Sequence, residues 1–102
     1  MNEFRIKIWN GGINKYQKDK YNECIEWLLL YEQSLTNDDL NLKMKCYRVI
    51  ARSYINLNNY IDAEKYGLQC TAIEHSSSIN YFLLFKIAIQ SKNESKGILF
   101  II

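Results

Sequence analysis

The chain has 102 residues, 48% of them hydrophobic, a formal net charge of +2, and no proline. That size and apolar content support one modest core and argue against disorder, and the interspersed acids and bases create no field that would recruit nucleic acid or an acidic membrane. No apolar run approaches the roughly 20 residues of a membrane helix, and Glu3, Arg5 and Lys7 stand where a signal peptide would place its apolar core, so a soluble, intracellular protein is expected.

Helical periodicity runs through the chain and predicts an all-α class with six helices, separated by Asn-rich points such as Asn58 and Asn59. They are expected over about Glu3 to Lys18, Lys20 to Leu35, Asp39 to Leu57, Tyr60 to His75, Ser78 to Ser91, and Asn93 to the end. In the first, Gly11 and Gly12 cost about 1 kcal/mol each relative to alanine, so a helix there requires a packing reason. Close helix approach supplies one for Gly12 and leaves Gly11 unexplained. In the third, Tyr47, Ile50, Ala51 and Tyr54 fall at i, i+3, i+4 and i+7 and share one face. Asp38 and Asp39 lack calcium-loop spacing and read as a helix start. Cys24, Cys46 and Cys70 are far apart and odd in number, which argues against a disulfide framework or a zinc site; they read as small buried hydrophobes.

The stripe Tyr47, Ile50, Ala51, Tyr54, followed by Ala63, resembles a tetratricopeptide (TPR) unit, a helical hairpin that stacks on its neighbours. A second copy of the register is Ile8, Gly12, Tyr21, Cys24 and Leu28, with 39 residues from Ile8 to Tyr47. A third, Tyr81, Leu84, Ala88, Gly97 and Ile101, begins 34 residues after Tyr47, the TPR period. The longer first interval is assigned to an extended connection and helix start over Thr36 to Asn41. Gly67 and Ile101 stand at the large aromatic position of the second helix, His75 replaces the closing proline, and Phe85 fills a small-residue slot. The expectation is therefore a single TPR-like α-α superhelix with hairpins over about 3–35, 39–75 and 78–102. The last hairpin is incomplete, as in a fragment of a longer array.

In a TPR array the first helices of successive hairpins line a groove. The register assigns to it Ile6, Trp9, Ile13 and Tyr16; Lys45, Arg48, Arg52 and Ile55; and Ile79, Phe82, Lys86 and Ile89. Among these, Trp9, Tyr16, Lys45, Arg48, Arg52, Phe82 and Lys86 are the expected partner-binding residues, because bases beside aromatics suit an acidic segment. The positions of the chaperone carboxylate clamp fall on Trp9, Ile13, Val49, Ile79 and Leu83, none of them a suitable donor, which disfavours a chaperone co-factor. His75 is the only histidine, and no Gly-rich phosphate loop, GxSxG elbow or HExxH pair occurs, so neither an enzyme nor a cofactor or metal is expected.

Three stretches resemble a narrower family, the meiosis-specific TPR scaffolds that include the sporulation protein Zip-four and testis-expressed protein eleven. Ile8-Trp9-Asn10 leading to Tyr21-Asn22-Glu23-Cys24-Ile25-Glu26-Trp27-Leu28 is similar to that family's "W-N … Y-x-x-A-x-x-W-L" hairpin. Lys45 to Leu57 is similar to its "K-x-x-R-x-L-A-x-x-Y-L-x-L" helix, and Glu74-His75-Ser76-Ser77 with Tyr81 to Ile87 resembles its "E-H-x-S … F-L-x-x-K-I" segment. The resemblance implies a non-catalytic scaffold of meiotic chromosomes in the nucleus, gathering crossover-promoting factors and the axis of the synaptonemal complex. The alternative is a general cytoplasmic TPR adaptor that binds a peptide or helix of another protein.

Overall fold

The computed structural model describes residues 3–96, with side chains to residue 92, and contains five α-helices and no strand among them. The helices are α1 (Glu3–Gln17), α2 (Tyr21–Gln33), α3 (Leu40–Asn56), α4 (Tyr60–Ile73) and α5 (Ser78–Lys96). Each packs on its sequence neighbours, giving the antiparallel hairpins α1–α2 and α3–α4 stacked through α2 and α3, with α5 laid against α4 and touching α3.

The two hairpin turns are built alike. α1 and α3 end on Asp19 and Asn58, whose φ angles of 61° and 60° lie in the left-handed region that Asp and Asn tolerate better than most residues. The next amide then reaches back across the turn, Lys20 N to Lys15 O and Asn59 N to Tyr54 O, both at 2.9 Å, closing orphan carbonyls in the Schellman manner. In each turn the tyrosine opening the next helix donates its hydroxyl to that same residue: Tyr21 to Asp19 at 2.9 Å and Tyr60 to Asn58 at 3.0 Å. The repeat is therefore carried by turn chemistry as well as by the apolar stripe.

The expected third turn, between Ser91 and Asn93, is absent, and α5 runs through it to Lys96. In the repeat register Lys92 stands where Asp19 and Asn58 stand, and Glu94 where the two tyrosines do. Neither the residue that accepts a positive φ nor its hydroxyl lock is present, so the helix continues. The sixth helix expected from Asn93 onward lies, after Lys96, outside the described residues.

The longer first interval is an ordered connection. Thr36 donates its amide to Asp39 Oδ2 at 2.8 Å while its carbonyl accepts the Asp39 amide at 3.0 Å, which closes the turn just ahead of α3, and Arg5 of α1 reaches the Ser34 carbonyl and Asp39. The Thr36 amide holds the Asp39 carboxyl below its usual range.

α3 belongs to both apolar clusters. With α1, α2 and Cys70 of α4 it contributes Met44, Cys46, Tyr47 and Ile50 to one; with α4 and α5 it contributes Ala51 and Ile55 to the other, alongside Ala63, Leu83 and Ile87. Small side chains set how closely the rods approach. A Cβ on Gly12 would lie 2.8 Å from Leu28 Cδ2, and Leu28 is fully buried and has nowhere to go. Gly11 also finds its reason, since a Cβ there would meet the Trp27 ring at 2.6 Å. Gly67, at an aromatic position of the repeat, leaves room for Leu84, while its neighbour Tyr66 supplies the ring and stacks between Tyr47 and Tyr54 at 5.6 and 6.0 Å.

The α4–α5 junction uses a polar plug. Asn80 of α5 is fully buried and donates Nδ2 to the Cys70 carbonyl at 3.1 Å and to the Glu74 carbonyl at 3.4 Å, capping the end of α4. Its Oδ1 accepts from Arg48 Nε of α3 at 2.8 Å, and Arg48 also reaches Ser77 Oγ at 3.2 Å.

Two outcomes follow. Ala51→Phe overpacks the second cluster and costs about 1–3 kcal/mol in a urea or thermal melt. Asn80→Ala, which removes the buried side chain shared by the Cys70 and Glu74 carbonyls and the Arg48 guanidinium, costs about 1–3 kcal/mol by the same measurement.

Candidate functional site

The first helix of each unit, α1, α3 and α5, shares one side of the molecule, and two pockets open between them. At one end Trp9, Ile6 and Arg5 of α1, Tyr31 of α2, and Leu42 and Lys45 of α3 line a pocket of about 240 Å³. Its walls are mostly apolar, with the Trp9 and Tyr31 rings 5.2 Å apart and tilted at 51°. At the other end Tyr16 of α1, Arg52, Asn56 and Asn58 of α3 and the α3–α4 turn, and Lys86 and Gln90 of α5 line a second pocket of about 210 Å³.

Five of the seven expected binding residues thus converge, Trp9 and Lys45 in the first pocket and Tyr16, Arg52 and Lys86 in the second. Neither pocket is lined by a carboxylate. Lys45, Arg52 and Lys86 are exposed, and among the described residues none of them has an ion-pair partner. Basic groups at the ends of the groove therefore face solvent uncompensated, which favours an anionic ligand group.

The remaining two residues stand differently from their expected roles. Arg48 is not offered to a partner: its guanidinium is spent on Asn80 and Ser77 and fastens α5 to α3, dividing the groove between the two pockets. Phe82, 66% exposed, sits with Ile79, Tyr81 and Phe85 on an open apolar surface of α5 and in neither pocket. Ile55 is a core residue that also lines the second pocket, as expected of a groove position. The helix register explains Arg48, because one side of α3 faces α5.

Sequence reasoning missed Arg5, Tyr31, Leu42, Asn56, Asn58 and Gln90. Asn58 had a signal, the left-handed turn it supports; Tyr31 belongs to the second helix of its hairpin and reaches the groove only because Trp9 leans on it.

The three cysteines are buried and free. Cys46 Sγ donates to the Leu28 carbonyl at 3.3 Å and Cys70 Sγ to the Met44 carbonyl at 3.6 Å, so each lets a neighbouring backbone come close. Burial pushes the Cys46 thiol up to about 12 and the Cys70 thiol up to about 11. His75 is exposed, and among the described residues no group of three or more His, Cys, Asp or Glu is placed to hold a metal ion. No helix among them is long and apolar enough to cross a membrane.

No protein-family model, curated protein or solved structure matches the chain.

The raised thiols give a pH signature. Because the folded state disfavours the thiolate, their stabilising contribution is intact below the ordinary thiol value of 9.0 and is lost as pH climbs from there towards 11–12. Native protein at pH 8 is expected to leave Cys46 and Cys70 unmodified by iodoacetamide, with alkylation appearing together with unfolding as pH rises past that window; mass spectrometry of the labelled chain measures it.

Proposed function

We propose that this chain is a non-catalytic protein–protein interaction scaffold whose groove, between α1, α3 and α5, holds a segment of a partner protein. The observation that carries this reading is the convergence of Trp9, Lys45, Tyr16, Arg52 and Lys86 from three helices into two adjoining pockets that no carboxylate lines. Helical grooves of this kind take extended or helical segments by combining side-chain pockets with charge pairing.

The setting we propose is meiotic recombination in the nucleus, with crossover-promoting factors and the chromosome axis as partners. Its support is the likeness of three stretches, Ile8 to Leu28, Lys45 to Leu57 and Glu74 to Ile87, to the meiotic TPR scaffolds. A general intracellular TPR adaptor is the second reading. What favours it is that many of the residues carrying the likeness, among them Cys24, Leu28, Ile50, Ala51 and Ile87, are core residues that any stacked hairpin requires.

Affinity purification from meiotic cells tests both. Wild-type chain is expected to recover chromosome-axis and crossover proteins, and Arg52→Glu with Lys86→Glu to lose them with unchanged helicity by circular dichroism. Recovery dominated by non-chromosomal proteins in a groove-dependent way moves the assignment to the adaptor. Partners retained in full by the double variant overturn the groove.

A further inference from the structure

The two pockets differ in chemistry and stand at a fixed spacing. The first is mostly apolar, walled by Trp9, Tyr31, Ile6 and Leu42, with Arg5 and Lys45 also lining it. The second is polar, lined by Tyr16, Arg52, Asn56, Asn58, Lys86 and Gln90, with the two cations Arg52 and Lys86 among them. Trp9 and Tyr16 are seven residues apart on α1, and Lys45 and Arg52 seven apart on α3, so both helices carry the pockets two turns, or about 10 Å, from one another. Between them Arg48 is held by Asn80 and Ser77, so its guanidinium is engaged within the chain.

Each pocket has the volume for one side chain. At about 240 and 210 Å³ they fall below the roughly 300–1,000 Å³ of sites that enclose a whole small molecule. A peptide in the polyproline II conformation rises about 3.1 Å per residue with three residues per turn, so side chains three positions apart share one face and lie about 9 Å apart. We propose that the groove reads a two-point motif in a partner segment of polyproline II conformation: one large apolar side chain seated against Trp9 and Tyr31, and one carboxylate, three residues away, clamped by Arg52 and Lys86. This rests on the reading of the chain as a peptide-binding scaffold and adds which peptide it takes. The acidic residue supplies the charge that the second pocket lacks, and the apolar residue covers the ring pair of the first. The donors lie on the first helices at positions other than those of the chaperone-type clamp, which here fall on Trp9, Ile13, Val49, Ile79 and Leu83.

Fluorescence anisotropy with labelled Ser/Thr-rich peptides tests the motif. The probes carry one leucine and one glutamate three positions apart, in either order; controls change glutamate to glutamine or phosphoserine, leucine to serine, or the spacing to one or six positions. The expected result is binding that falls about tenfold or more on loss of either side chain or of the spacing, and that weakens steeply with salt as exposed ion pairs do. Arg52→Gln with Lys86→Gln is expected to remove the preference for glutamate over glutamine while leaving the leucine-dependent part intact. That selective loss is one a merely unfolded variant cannot mimic. Equal affinity for the glutamate and glutamine peptides, or indifference to spacing, overturns the two-point motif, and a stronger response to phosphoserine reassigns the anion to a phosphate. Peptides that fail while groove-dependent partners are still recovered from meiotic cells sink this motif alone; loss of both sinks the scaffold reading as well.

Discussion

The closeness of α3 to its neighbours is the constraint on which everything else rests. α3 meets α2 where Ser53 Oγ lies 3.5 Å from Cys24 Sγ and where Cys46 Sγ donates to the Leu28 carbonyl, all three side chains being fully buried. It meets α4 where Ala51 and Ala63 are both fully buried and where Cys70 faces the Met44 carbonyl. A larger side chain at any of these contacts forces rods apart that the rest of the core has already positioned, and close-packed interiors absorb such changes poorly. The small residues thus set a distance, and the burial of Leu28, Ile50 and Tyr47 around them supplies the free energy that holds it.

From that distance and two equivalent turns the groove follows. Asp19 and Asn58 reverse the chain in the same way, each locked by the next tyrosine, so α1 and α3 emerge in equivalent poses. α5 takes its place by another device, the buried Asn80 that caps α4 and receives Arg48. Three first helices on one side leave clefts at both ends and a filled centre. The basic residue at that centre serves architecture, and those at the ends, Lys45, Arg52 and Lys86, remain available for binding.

Much of this was legible in the residues. The stripe of Tyr47, Ile50, Ala51 and Tyr54 placed α3 and its buried face, and the long interval before it pointed to the connection that Thr36 and Asp39 cap. The register also put Trp9, Tyr16, Lys45, Arg52 and Lys86 on the groove side. Three things were not legible. The role of Arg48 depends on Asn80, 32 residues later, and such a pairing leaves no periodic trace. Gly11 is explained only by a ring from the neighbouring helix. The missing turn at Lys92 was not visible because a helix break was inferred from the register, whereas the two equivalent turns of this chain are made on Asp19 and Asn58, residues tolerant of positive φ, and Lys92 is not one. Contacts distant in sequence and backbone chemistry at a single residue are what a hydrophobic pattern does not encode.

The central claim, that small residues bring α1, α2 and α3 into direct contact, is open to one measurement. Nuclear Overhauser spectra of the labelled protein should show cross-peaks from the Gly12 α protons to the Leu28 methyls and from the Ser53 β protons to the Cys24 β protons. Their presence fixes both helix pairs at the distances described; well-resolved helical spectra without them would mean that these residues do not face one another, and the stacked architecture would be wrong.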